Sequence, residues 1–142
     1  MDETEESAGV ESEGQKTQYV IQSDVRFAPL EQIDLDRLVA DCDHPWFNQT
    51  LCRVNDCVVR FGVFEGEFHW HAHAGEDEFF YVVSGELTIE IEGRAPAVLR
   101  ARQGITIPRG VRHRPVAPTQ TVVLMIEGAT IQPLGDAPAE AD

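Results

Sequence analysis

From Val58 to Ile126 the chain is written in short apolar runs broken by pairs of turn residues. Val58–Phe64, Phe79–Val83, Leu87–Glu92, Ala97–Leu99, Ile105–Ile107 and Thr121–Ile126 are rich in β-branched and aromatic side chains. Between them stand Glu65-Gly66, Ser84-Gly85, Gly93-Arg94, Gln103-Gly104 and Arg109-Gly110. In Leu87–Glu92 the alternation is strict, with Leu87, Ile89 and Ile91 on one face and Thr or Glu on the other. Such a period-two pattern suits a half-buried strand and not a helix. Short strands at this spacing predict an all-β sandwich or barrel. The unit does not repeat, so a single barrel is expected. Ahead of it, Tyr19–Leu30 reads as extended, and Asp34 is placed to cap a short helix over Leu35–Asp41.

At 142 residues the chain suffices for one domain with a proper core. The net charge of −14 is concentrated at the ends. Residues 1–14 hold six acids and residues 135–142 three, with no base in either, which leaves −5 for the body. Segments so acidic and so poor in apolar residues are expected to be disordered tails, at 1–16 and 135–142, around a folded domain at 17–134. Lys16 is the sole lysine against ten arginines, a composition that suits a salt-loving or a GC-rich source. Nucleic acid is not an expected partner, because phosphate binding needs a net basic face. No stretch approaches a membrane span, and the first residues are neither basic nor apolar, so a cytoplasmic protein with no membrane partner is expected. Cys42, Cys52 and Cys57 are then expected to be reduced, although Cys52 and Cys57 flank a turn at Arg53–Asp56 and could face each other across a hairpin. Asn48-Gln-Thr50 matches a glycosylation acceptor, discounted without an export signal.

Three of the five histidines fall within HWHAH, at His69, His71 and His73. On a strand these three share one face, and neighbouring imidazoles lie about 7 Å apart, close enough to converge on one ion. Glu78, opening the next apolar run, offers a carboxylate oxygen, and His113 is the candidate fourth ligand. Phe80 and Val82 share the parity of Glu78 and are expected to line the interior beside the site. Phe79 and Tyr81 then face out, Arg112 and Arg114 point away from His113, and His44, beside Pro45, is expected in solvent.

The stretch His71-Ala-His73, four residues, Glu78, six residues, Gly85 resembles the first motif of the cupins, small β-barrels of the jelly-roll type. Pro108-Arg-Gly110-Val-Arg-His113 resembles their second. The similarity runs over about residues 54–134 and is greatest to small single-domain cupins. It selects His71, His73, Glu78 and His113 as the metal ligands, since starting the motif at His69 would end it on Val83 instead of Gly. His69 becomes a pocket residue. Three positions depart from the family pattern: Glu65 and Arg102 stand where Gly is expected, and Ala117 where Asn is.

The resemblance implies one divalent transition ion, Fe, Mn, Ni or Zn, with coordination positions left open for water, dioxygen or a chelating substrate. It further implies a metal-dependent enzyme on a small molecule, of oxygenase or isomerase type, or alternatively a non-catalytic barrel that binds a metal, a sugar or another small ligand. Fold alone does not choose between these. A homodimer is expected as well, with residues from 19–64 in or near the interface, since a small barrel must protect its edge strands.

Overall fold

The structure is a computed structural model describing residues 19–135. The tail expected at 1–16, and all of that expected at 135–142 except Gly135, lie outside the described residues. Eight strands and one helix follow in the order β1 (Tyr19–Gln22), α1 (Leu35–Ala40), β2 (Trp46–Val54), β3 (Cys57–Glu67), β4 (Glu78–Ser84), β5 (Glu86–Ile91), β6 (Ala97–Arg100), β7 (Gly104–Ile107) and β8 (His113–Gly128). The fold is all-β, a cupin-like barrel. Among the described residues no helix is long and apolar enough to cross a membrane.

The long β8 organises the sheet. Its second half lies between β3 and β4, with Phe61 opposite Leu124 and Phe80 opposite Met125. Its first half pairs with β5, from Ile91↔His113 to Thr88↔Val116. One strand therefore carries His113 at its start and reaches the strand of Glu78 at its far end, where Glu78 pairs with Glu127. The barrel interior is filled by Trp46, Phe64, Phe68, Phe80, Val82, Leu87, Ile89, Ile91, Leu99, Ile107, Ala117, Val123 and Met125. A smaller cluster of Leu38, Phe47, Leu51, Phe61 and Val63 lies on the opposite face of β2 and β3, under α1. Asp34 caps α1, its side chain accepting from the Arg37 N–H.

β2 was not expected from the sequence, and its burial explains why. WFNQTLCRV does not alternate apolar and polar residues, because both faces are covered: Trp46 through Leu51 are all buried. Its polar residues find partners inside the protein, Asn48 and Thr50 on Arg60 and Gln49 on Arg26 and Gln22. Burial of Asn48 also removes it as a glycosylation acceptor in the folded chain. The turn after β2 is a two-residue hairpin at Asn55-Asp56, so Val54 faces Cys57 and Cys52 faces Val59. Cys52 and Cys57 are thus not cross-strand partners, and all three cysteines are free. The extended pattern from Tyr19 yields a strand only as far as Gln22, where pairing with β2 stops.

The departures from the family motifs are absorbed locally. Gly66, one residue after the expected position, takes φ 113° beside a register shift between Phe64 and Gly66, so a bulge restores the pairing. Arg102 itself adopts φ 69°, a conformation costly for a residue with a β-carbon. Its N–H is held by the Val82 carbonyl at 2.7 Å. Ala117 is buried in the core.

Gly85, which closes the first motif, has φ +91°, and a β-carbon there would lie 2.6 Å from Thr121 Oγ1 and 2.8 Å from the Gln120 carbonyl. Thr121 Oγ1 in turn takes part in hydrogen bonds with the backbone of Glu86 and Thr119. Gly85→Ala is therefore expected to lower stability by about 1–3 kcal/mol in urea unfolding. A midpoint unchanged from the parent protein would show that this turn relaxes freely.

Candidate metal centre

The segment carrying the clustered histidines is not a strand. Residues 68–73 run extended along 110–115 but touch in ladder fashion only at His71 and His113, which exchange N–H···O bonds of 3.0 and 2.9 Å. Phe68 N–H to the Pro115 carbonyl and Gly110 N–H to the His73 carbonyl hold the two ends. The extended backbone keeps the alternation of side chains without a continuous ladder. His71 and His73 turn into the barrel, while His69 remains exposed at the rim, where its Nε2 donates to the Leu134 carbonyl at 2.7 Å.

His71, His73, Glu78 and His113 are all buried, and one ligand atom from each lies within 4.8 Å of the others. His73 Nε2 is 3.3 Å and His113 Nε2 is 3.5 Å from Glu78 Oε1. Among the described residues those three atoms, and His73 Nδ1, have no hydrogen-bond partner. Buried polar atoms are rarely left so, and a cluster of them aimed at one point fits a cation. The tautomers fit as well. His71 Nδ1 donates to the His69 carbonyl at 3.0 Å, and His113 Nδ1 to the Val111 carbonyl at 2.9 Å. In each ring Nε2 is thereby left with its lone pair toward the cluster, the arrangement by which backbone carbonyls orient metal-binding histidines. The backbone of His69, and not its ring, supports the site.

Electrostatics favour the same state. Burial, and then the neighbouring His113, push His71 down to about 3, so its ring is neutral at ordinary pH. Burial alone would raise Glu78, but close polar contacts with His113, His73 and Glu127 outweigh it and hold the carboxylate below its usual range. Burial, followed by the charge of Glu78, drives Glu127 up to about 10. Glu127 is itself buried on β8, with Arg60 Nε 3.5 Å from its Oε2. Arg60, likewise buried, donates through Nη1 to Thr50 Oγ1 and through Nη2 to Asn48 Oδ1. This second polar group, behind Glu78, was not anticipated from the sequence. The one available signal was an arginine in the otherwise apolar run Val58–Phe64.

An open pocket lies beside the cluster, with about 260 Å³ of empty space when the solvent at its mouth is included and with His71 and Glu78 in its wall. Trp46, Phe64, Phe68 and Phe80 supply aromatic surface, joined by Met125, Pro115 and Pro133, and Asn48 is the remaining polar group. Trp46 stacks on Phe64 at 4.2 Å and on Phe68 at 5.3 Å. Phe80 is in the pocket wall. Val82, two residues further along β4, is fully buried in the barrel core. The segment after β8 returns to the mouth, placing Pro133 in the wall and Gly135 against His71. Outside the pocket, Arg112 and Arg114 lie over Trp70 and pair with Glu92, Glu90 and Glu67, clear of the cluster. His44 stacks on Phe47 at the surface.

A β-barrel with this buried group of three histidines and a glutamate defines a cupin, and the chain belongs to that superfamily: the cupin domain model matches residues 58–127. Among curated proteins it is 42% identical over 80 residues to the uncharacterized protein YdbB of Bacillus subtilis, a match covering 56% of this chain and 71% of that one. Among solved structures, a cupin-2 domain containing protein from Shewanella frigidimarina superposes with a TM-score of 0.64 at 31% identity, covering 68% of this chain and 93% of the other. A putative mannose-6-phosphate isomerase from Ralstonia eutropha superposes with a TM-score of 0.52 at 27% identity, over 58% of this chain and 83% of the other.

Proposed function

We propose that this cupin is a metal-dependent enzyme acting on a small, largely apolar molecule that chelates through oxygen. One observation carries the reading: four buried ligand atoms converge within 4.8 Å at the wall of an aromatic-lined pocket. His71, His73, Glu78 and His113 would hold a divalent transition ion. When bound, the ion supplies Lewis acidity and open coordination positions. The chain's own residues do the rest. The carbonyls of His69 and Val111 fix two rings, Glu78 adds the anionic donor, and Trp46, Phe64, Phe68 and Phe80 keep water from the bound molecule. Turnover of the oxygenase type suits this pocket better than isomerisation of a sugar phosphate. None of the ten lining residues is a Lys or Arg, the side chains that most often pair with a phosphate group.

The test is to incubate protein loaded separately with Fe(II), Mn(II), Ni(II) or Zn(II) with enolic and phenolic chelators and with sugar phosphates. Products are read by mass spectrometry and oxygen uptake by electrode. Consumption of a chelator is the expected result. Turnover of a sugar phosphate would overturn the reaction type, and binding of chelators without turnover by any metal form would make the protein a binding barrel.

We also propose that the protein works as a homodimer with residues of the 19–64 region in the interface. Val25, Leu30 and Val54 are exposed there, Leu30 completely, and β1 is an edge strand. Light scattering at micromolar concentration should give twice the chain mass, and a monomeric mass refutes this.

A further inference from the structure

We infer that Asn48 is the ligand-recognising side chain of the pocket, donating its amide N–H to an acceptor oxygen on the ring-bearing chelator that the metal holds. This rests on the metal-dependent reading above and names the substrate class further. Apart from His71 and Glu78, Asn48 is the only polar residue in the pocket wall, and it is 7% exposed. It sits on β2 directly opposite Gly62. With no side chain at Gly62, the ring of Phe64 lies over that backbone, so the amide and a flat aromatic wall share one side of the pocket.

The orientation of the amide is set from behind. An asparagine has one acceptor oxygen and a donor NH₂. The oxygen is taken by Arg60 Nη2. Arg60 cannot turn away, since Thr50 holds Nη1, Glu127 lies against Nε, and the side chain is only 4% exposed. The NH₂ is therefore the face presented to the pocket, on a rigid support of the kind a specific site requires. A donor in the pocket wall with its own oxygen already taken gains most from a ligand atom that accepts from it. A molecule with a chelating oxygen pair for the metal, a flat apolar body for Trp46, Phe64 and Phe68, and one further acceptor oxygen meets all three conditions. An apolar isostere of that oxygen would leave the amide unpaired.

Two probes separate the acceptor from shape: 3-methoxycatechol and 3-ethylcatechol, alike in size and chelating group but differing by one acceptor oxygen. Titrated calorimetrically and anaerobically into the zinc-loaded full chain, the methoxy probe should bind about fivefold tighter or more, the worth of one neutral hydrogen bond. In Asn48→Asp the carboxylate still accepts from Arg60 but offers no donor. Zinc content and thermal midpoint should stay close to the parent, while the preference disappears or reverses. Equal affinity of the two probes for the parent protein overturns the inference, whether or not the variant folds. So does a preference that persists in Asn48→Asp, or failure of either probe to bind. Failure of the parent to take up zinc or any other divalent transition ion would instead overturn the metal-dependent reading, and this inference with it.

Discussion

Protein purified from cells is expected to carry about one divalent transition ion per chain, and His71→Ala/His73→Ala none. The double change removes two of the four donors that converge within 4.8 Å, and the remaining His113 and Glu78 cannot hold an ion against water. Because the ion binds only the folded barrel, its removal also costs stability, by about 2.7 kcal/mol when the free metal stands at 100 times its dissociation constant. Elemental analysis and thermal unfolding with and without chelator measure both effects. His69→Ala should leave occupancy nearly unchanged, since it is the His69 carbonyl that orients His71. His44→Ala should do the same, its ring being at the surface against Phe47. A parent protein free of metal, with a midpoint indifferent to chelator, would refute the site.

Arg60→Met destabilises the protein by about 3–5 kcal/mol, the cost of removing one partner from a buried ionic group. Among the described residues the guanidinium is the single buried cation, and it lies beside two buried carboxyl groups, Glu127 and Glu78. It also satisfies Asn48 and Thr50 from β2. Methionine fills the space but leaves those acceptors without a donor and takes the positive charge away from beside the Glu78 carboxylate. Arg60→Met/Glu127→Leu should recover a part of the loss, because an apolar pair removes the buried carboxyl that the lost guanidinium had faced. Urea unfolding of the four proteins in the cycle measures the coupling. A single-variant loss below about 1 kcal/mol would mean that water enters behind β3 and replaces the arginine.

Where the chain alternates against a single apolar core, its structure was legible from residue types. Leu87–Glu92 carries the alternation of β5, and the parity of Phe79–Val83 separates Phe80 and Val82 from Phe79 and Tyr81. β2 was not legible, since it is buried on both faces and its polar centre reads as a loop until Arg60 is seen opposite. The metal centre divides in the same way. Residue type and spacing singled out His71, His73, Glu78 and His113, and the structure brings them together. Yet HWHAH does not form the strand that its alternation suggests, and three histidines of equal parity end in different surroundings.

What the sequence by itself determined is therefore local: the strand period, the turns, the capped α1, the glycine that Gly85 must be, and a set of donors at spacings compatible with one ion. The strand period, the turns and the cap follow from interactions between residues a few positions apart, whereas Gly85 is required also by the approach of Thr121 and Gln120, and His113 joins the donors from a distant strand. Only the tertiary structure decided how the histidine rings are held. That depends on the carbonyls of His69 and Val111 and on the return of the chain at Leu134. It also decided that Arg60, Glu127, Asn48 and Thr50 form one buried group, drawn from three strands. Burial cost depends on what surrounds a polar group, not on its neighbours in sequence. The character of the pocket, an aromatic wall with one fixed amide, exists only once β2, β3 and β8 lie side by side.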